Sequence, residues 1–249
     1  MSWVTLQWVT PEAEKQIAFI ARGSNPDNQA NPEYEKLFRY CLKHGHWSPF
    51  QMASMCLHFE TSLAIAAQVK RHWSLAISEP ADIQESSMRY FDPLEKGWGF
   101  QRIELRKPAA TNRQSSNEPL TGLDKEGAKI WLERYNTVLM QVIGKLKEIG
   151  VANETLRMLY PAATTTRFFI AGSCRSWLHY FEQRLTEHAQ HEHQVLALQA
   201  WDIFEQNFPT IANITLLKGG ASVEAQQDWE NWKLRIEKEK EWQTHDPTT

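Results

Sequence analysis

The sequence has little cysteine, and its three cysteines, Cys41, Cys56 and Cys174, lie too far apart to form a metal-binding or redox motif. Few and widely spaced cysteines are typical of proteins in a reducing compartment, so we expect a cytoplasmic location. The chain also lacks a signal peptide and any apolar run near the roughly 20 residues that cross a bilayer, so we expect no membrane partner. Its net charge is only −3, which argues against binding to a nucleic acid polymer.

Three common site motifs are absent as well. The sequence contains no G-x-G-x-x-G turn after a strand, no G-x-x-x-x-G-K-[ST] loop and no G-x-S-x-G elbow. These absences exclude the usual dinucleotide fold, the P-loop and the serine hydrolase elbow. What is present is an ordinary globular composition, with 42% hydrophobic and 23% charged residues.

The apolar residues follow helical spacing in some segments and strand alternation in others. Residues 55–60 alternate and predict a strand, and the β-branched residues of 164–170 predict another. Helices are predicted from Asn31 onward and over three further segments, 61–71, 130–149 and 175–208 with a break near Thr186.

The long segment 74–123 is rich in Ser, Pro, Asn and Gly and is predicted to be irregular, as functional loops often are. No internal repeat divides the chain. We therefore expect an α+β fold with a central sheet flanked by helices, a single mixed domain over residues 1–220. A charged helical tail is expected over residues 221–249.

Arginines cluster with Ser, Gln, Glu and Tyr in three segments. Residues 71–74 (Arg-His-Trp-Ser) lie at the end of a predicted helix, residues 84–90 (Gln-Glu-Ser-Ser-Met-Arg-Tyr) lie shortly after it, and residues 175–177 (Arg-Ser-Trp) follow a predicted strand. Arginine binds phosphate through two N–H groups at once, so several converging arginines suit a nucleotide. Any one of them would more simply pair with one of the 30 acidic residues at the surface. As a group they predict an anionic, nucleotide-like ligand.

A histidine-rich segment contains His188, His191 and His193. His188 and His191 are three residues apart and could face one way on a helix, as metal ligands do. The pattern lacks the four-residue spacing and adjacent glutamate of zinc proteases. We therefore predict no metal site and interpret these histidines as solvated or substrate-contacting.

At the arginine segments the sequence resembles the flavin-dependent thymidylate synthases, in order over most of residues 10–215. Arg71-His72-Trp73-Ser74, followed by residues 84–90, resembles the family signature R-H-R-x-x-S and then E-x-S-x-R-Y. Further similar blocks lie at residues 21–24, 46–50, 112–116, 165–168, 172–177 and 184–190.

Three differences from the family pattern stand out. Trp73 replaces the second arginine of R-H-R, and Gln51 replaces a glutamate. A six-residue insertion leaves two candidates for the signature glutamate, Glu79 and Glu85. We prefer Glu85, because the block through Arg89 then stays whole.

The resemblance implies an FAD-dependent enzyme that methylates dUMP to dTMP, with methylenetetrahydrofolate as carbon donor and NADPH as reductant. It also implies a homotetramer with active sites at the subunit interfaces. Arg184 would be catalytic and lie against the pyrimidine. FAD would contact Ser24, Ser48, Arg71, His72, Trp73, Ser173, Arg175 and His179. The nucleotide dUMP would contact Gln68, Glu85, Ser86, Ser87, Met88, Arg89, Arg157 and Arg184.

Two alternatives stay open. Trp73 and the insertion favour a related enzyme that adds a methyl or hydroxymethyl group to another pyrimidine nucleotide. The chain could also be a flavin- or nucleotide-binding homologue without catalysis. No cysteine or serine nucleophile is needed for the implied reaction, so we interpret Ser86 and Ser87 as phosphate or backbone ligands.

Overall fold

The computed structural model describes residues 2–75, 81–110 and 116–244, without the side chains of residues 72–75, 81, 117 and 235–244. Glu79 and residues 112–115 of the family-like loop lie outside the described residues. The side chains of His72 and Trp73 also lie outside them.

Strands and helices are interspersed along the described residues. The strands are β1 (Trp3–Val9), β2 (Ser54–Ser62), β3 (Ala81–Glu85), β4 (Arg106–Pro108), β5 (Ser116–Pro119) and β6 (Thr165–Ser173). The helices are α1 (Ala13–Ala21), α2 (Glu35–Lys43), α3 (Leu63–Leu75), α4 (Gly122–Glu148), α5 (Asn153–Leu156), α6 (Cys174–Arg184), α7 (His191–Asn207), α8 (Pro209–Thr215) and α9 (Val223–Thr244).

Four strands form one sheet in the order β1-β2-β6-β3, and β4 pairs with β5 in a separate antiparallel ribbon. The alternation predicted for β2 is present over most of the strand, because Met55, Leu57 and Phe59 are fully buried while His58 and Glu60 are half-buried. Cys56, predicted on the same face as His58, is buried as well. The predicted α+β class, with a sheet and flanking helices, is confirmed. The break predicted near Thr186 is also present, between α6 and α7.

Two sequence predictions about elements were wrong. Residues within 74–123 include β3, whose sequence Ala-Asp-Ile-Gln-Glu has little strand propensity and is held by pairing with β6. The helix predicted from Asn31 begins only at Glu35. The Asn31 side-chain oxygen instead accepts the Glu33 N–H at 2.8 Å, which makes a turn before the helix.

The chain divides into two compact units. The larger one comprises Trp3–Phe59, Gln68–Gln84 and Phe169–Thr249. Its core is aromatic, with Trp177 packed against Phe181 at 6.0 Å between ring centroids and Phe181 against Trp201 at 5.0 Å. The Trp177 indole also donates to the Met55 carbonyl at 3.0 Å, which attaches α6 to β2.

The smaller unit comprises Met1–Ser2, Glu60–Ala67 and Glu85–Phe168, and α4 is its longest helix. One face of α4 carries Trp131, Tyr135, Val138 and Val142 at helical spacing. These four side chains are 69%, 50%, 58% and 44% exposed. We call them the α4 stripe. The apolar face predicted for this helix, which includes Tyr135, Val138 and Val142, therefore exists, and the part of the chain that the structure describes leaves it exposed.

All three cysteines are buried and free. Burial raises the pKa of each thiol above its usual value, most strongly for Cys174. Among the described helices, none is both long and apolar enough to cross a membrane.

Asp202 joins α7 to α9 through a largely buried carboxylate, whose side chain is 16% exposed. It accepts hydrogen bonds from Lys218 at 2.8 Å, from the Trp229 indole at 2.8 Å and from Lys233 at 3.1 Å. Burial alone would raise the pKa of Asp202, but these donors together hold it below its usual range.

Replacing Asp202 with Ala should lower the free energy of unfolding by about 2 kcal/mol, because the buried Trp229 N–H loses its acceptor. Since the folded-state pKa is lowered, the ionised carboxylate stabilises the fold above its ordinary pKa of 3.8, and this contribution is lost as the pH falls through the lower folded value. Denaturant unfolding at neutral and acidic pH measures both effects. Glu230→Ala, which removes only an exposed partner of Lys233, serves as the control.

Candidate functional site

The junction of β6 and α6 in the larger unit holds several predicted flavin contacts. Ser173 begins α6 as its N-cap, and its hydroxyl accepts the Ser176 N–H at 3.1 Å. Arg175 lies in the first turn, with its guanidinium 5.7 Å from the ring centre of Trp47. Ser48 follows Trp47 directly and begins a short 3₁₀ turn that contacts α6. The structure therefore brings Ser48, Ser173 and Arg175 together.

The chemistry of this junction fits a flavin dinucleotide. The first turn of α6 carries partial positive charge from its free N–H groups, and Arg175 adds a full charge, as a pyrophosphate requires. Trp47 adds an aromatic surface suited to a ring system. His179 lies one turn after Arg175 on the same helix and pairs with Glu182 at 3.9 Å.

The other predicted flavin contacts lie elsewhere in the larger unit. Ser24 lines a cleft of about 530 Å³ built by residues 21–37. In that cleft Arg22 is almost fully buried, and its guanidinium donates to the carbonyls of Asn31 and Glu33. Arg71 is exposed and lies within α3, which was predicted to end at this residue and continues to Leu75.

Gln68, a predicted nucleotide ligand, contacts α7 and the loop before it. Its side-chain oxygen lies 3.2 Å from Nδ1 of His193, and its nitrogen donates to Gln190 at 2.6 Å. His193 in turn lies 3.2 Å from the Tyr180 hydroxyl on α6. This network was not predicted, although its signal was present: His193 shares the apolar face of α7 with Leu196 and Ala200, where a polar side chain needs an internal partner.

Arg184, the predicted catalytic residue, is the last residue of α6. Its Nε is buried and has no hydrogen-bond partner among the described residues. Burial raises the pKa of Tyr180, one helical turn earlier, and the positive charge of Arg184 partly opposes that rise. An unpartnered buried guanidinium N–H is costly, and a bound ligand that accepted its hydrogen would remove that cost.

The smaller unit holds the remaining predicted dUMP contacts. Glu85 ends β3 and accepts a hydrogen bond from Thr166 of β6 at 3.0 Å. The backbone N–H of the following Ser86 donates to the backbone carbonyl of Arg167 at 2.9 Å. Ser87 accepts the backbone N–H of Arg89 at 3.4 Å, and Met88 lies in the turn between them.

Arg89 and Arg157 both reach Glu154. Arg89 pairs with its carboxylate at 3.5 Å, and Arg157 donates to its backbone carbonyl at 3.3 Å. Arg89 and Glu154 are more than half exposed, so this ion pair contributes little to stability. The exposed Glu154 carboxylate is therefore a weak partner for Arg89, and a phosphate could replace it.

The histidines of the 188–193 segment have different roles. His191 pairs with Asp228 at 2.9 Å, and His193 is buried in the network with Gln68. His188 is exposed. Within residues 2–75, 81–110 and 116–244, no three His, Cys, Asp or Glu side chains are grouped so as to hold a metal ion.

Comparison with known proteins finds a matching family and solved structures with a similar fold. Residues 5–210 match the family of the thymidylate synthase complementing protein. The chain is 39% identical over 203 residues to the flavin-dependent thymidylate synthase of Synechocystis sp., which covers 80% of this chain and 87% of that one. It is 38% identical over 202 residues to a probable flavin-dependent thymidylate synthase of Paramecium bursaria Chlorella virus 1, with 80% and 89% covered.

Among solved structures, the chain is similar to the UMP/dUMP methylase PolB from Streptomyces cacaoi bound with 5-Br dUMP. The TM-score is 0.70 at 19% identity, and the similarity covers 89% of this chain and 97% of that one. At this identity the similarity establishes a shared fold.

Proposed function

This chain belongs to the flavin-dependent thymidylate synthase family, and from that membership we propose that it methylates dUMP to dTMP. Flavin is the cofactor named for its relatives. We propose FAD in particular, with methylenetetrahydrofolate as carbon donor and NADPH as reductant. When bound, the flavin would supply the hydride that completes the methyl group.

Arg184 supports this proposal most directly, because its Nε is buried and lacks a partner in the described part of the chain. Methyl transfer to carbon 5 requires the pyrimidine ring to take up negative charge. A fixed guanidinium beside the ring stabilises that charge without having to reorganise. We therefore propose Arg184 as the catalytic residue.

The remaining predicted contacts are proposed in two groups. We propose that the phosphate of dUMP lies with Arg89 and Arg157 and displaces the Glu154 carboxylate from Arg89. The other proposed dUMP ligands are Gln68, Glu85, Ser86, Ser87 and Met88. The proposed flavin ligands are Ser24, Ser48, Arg71, His72, Trp73, Ser173, Arg175 and His179.

We also propose a homotetramer with active sites at the subunit interfaces. The α4 stripe supports assembly, because a contiguous and exposed apolar stripe marks a protein contact more often than a solvated surface. A second copy of the chain is the partner that the family membership favours.

Product analysis tests the proposed reaction. We expect the purified protein to bind flavin, to lose its flavin absorbance on addition of NADPH, and to form dTMP from dUMP and methylenetetrahydrofolate as measured by mass spectrometry. The same mixture with dCMP is the control. Product from dCMP alone, or a hydroxymethyl product, would identify the related pyrimidine-modifying enzyme, and flavin binding without any product would identify the non-catalytic homologue.

A further inference from the structure

A chain of side-chain hydrogen bonds runs from the core of the larger unit to Gln68. The Tyr180 hydroxyl lies 3.2 Å from Nε2 of His193, whose Nδ1 lies 3.2 Å from Oε1 of Gln68. Nε2 of Gln68 lies 2.6 Å from Oε1 of Gln190, and Nε2 of Gln190 lies 2.8 Å from Oε2 of Glu192. Tyr180 and His193 have no exposed surface, whereas Gln68 is half-buried. We call these five side chains the relay.

Glu192 determines the direction of every bond in the relay, because a carboxylate only accepts hydrogen bonds. Gln190 must therefore turn its NH₂ group toward Glu192 and its oxygen toward Gln68. Gln68 then donates to Gln190 and turns its own oxygen toward His193. Nδ1 of His193 must carry the hydrogen of that last bond.

The hydrogen bond between Tyr180 and His193, at the buried end of the relay, runs in the same direction as the others. With Nδ1 protonated, Nε2 of a neutral His193 ring is an acceptor, so the Tyr180 hydroxyl donates to it. Burial raises the pKa of Tyr180 above its ordinary value, which keeps this hydroxyl protonated.

A buried Tyr–His pair on an apolar helix face is not needed for packing alone. Apolar side chains of similar volume would fill the same space without the cost of burying polar groups. Unlike apolar side chains, the Tyr180–His193 pair fixes the orientation of the Gln68 amide through its hydrogen bonds.

We propose that His193 and Tyr180 are positioning residues that hold Gln68 in one orientation, with its second N–H presented to the nucleotide. This inference rests on the proposed function, in which Gln68 is a dUMP ligand. Phosphate and carbonyl oxygens of a nucleotide only accept hydrogen bonds, so an amide rotated by 180° would present an oxygen to them and repel them.

A matched pair of variants tests the positioning role. His193→Asn keeps a donor close to the position of Nδ1, whereas His193→Leu keeps the bulk and removes the donor. We expect His193→Leu to raise the Kd for dUMP about tenfold and His193→Asn to stay within about threefold of the wild type, with flavin content unchanged in both. Isothermal titration of dUMP into the flavin-loaded protein measures this. Equal losses in both variants, or no loss in either, would overturn the proposal.

Two further measurements keep the test decisive. Tyr180→Phe removes a single oxygen and should raise the Kd for dUMP about threefold even where His193→Leu does not fold. Nitrogen-15 NMR of histidine-labelled protein, with His193→Asn used to assign the signal, should show Nδ1–H on His193 in the absence of nucleotide. An Nε2–H tautomer would refute the relay whether or not dUMP binds. Conversely, Nδ1–H in a protein that binds dCMP and not dUMP would contradict only the proposed substrate.

Discussion

Replacing Arg184 with Ala should lower the rate of dTMP formation by roughly 1,000-fold while leaving most of the flavin bound. The loss follows from removing the only positive charge proposed to lie against the pyrimidine ring. Of the proposed flavin ligands on α6 and at its N-cap, Ser173 and Arg175 lie at the opposite end of the helix, about ten residues away. The third, His179, lies more than one turn before Arg184, so we expect all three to stay in place. Single-turnover rates with pre-reduced flavin measure the effect on the reaction itself.

Two controls isolate the role of Arg184. Arg184→Lys keeps the charge but loses the planar guanidinium, and we expect an intermediate rate. Arg39→Ala removes an exposed arginine that pairs with Glu35 on α2 and should leave the rate unchanged. A fully active Arg184→Ala enzyme would refute the catalytic role. Loss of flavin from that variant would instead indicate a structural role.

A double substitution in the α4 stripe, Trp131→Glu with Val138→Glu, should abolish both the proposed tetramer and the proposed activity. Two carboxylates placed inside an apolar interface would have to lose their hydration without a partner, which costs several kcal/mol for each. Light scattering should show the mass fall from four times the 28.9 kDa of the chain toward one or two copies. Activity should fall with it, because we propose that the active sites lie at the subunit interfaces.

Glu133→Lys is the matched control for this experiment. Glu133 lies on the same helix, two residues from Trp131 and therefore on the opposite face. We expect this variant to keep the mass and activity of the wild type. A wild-type protein that is itself monomeric, or a doubly substituted protein that remains tetrameric, would contradict the proposed role of the stripe.

The sequence was sufficient where local chemistry decides the structure. The alternation in β2 and the break before α7 are visible in neighbouring residues, and so is the position of Arg175 directly after β6. The ordered blocks shared with the family identified the fold and the enzyme class. Periodicity alone would have reached only a mixed domain with an anionic ligand.

The features that the sequence did not reveal are determined by contacts between residues that lie far apart along the chain. β3 is a strand because β6 provides the hydrogen-bonding edge, and nothing within residues 81–85 indicates this. Gln68 and His193 are 125 positions apart, so their contact is invisible to any local pattern. The periodicity of α4 predicted an apolar face correctly but could not tell whether the same chain covers it.

The burial of the three native cysteines has a practical consequence for studying this protein. Cys41, Cys56 and Cys174 are free but inaccessible, and their raised pKa values disfavour the reactive thiolate. A cysteine introduced at an exposed position would therefore be the sole readily reactive thiol, and the native cysteines need not be removed. Fluorophores or spin labels attached there could report distances and nucleotide-induced motion in an otherwise unaltered chain.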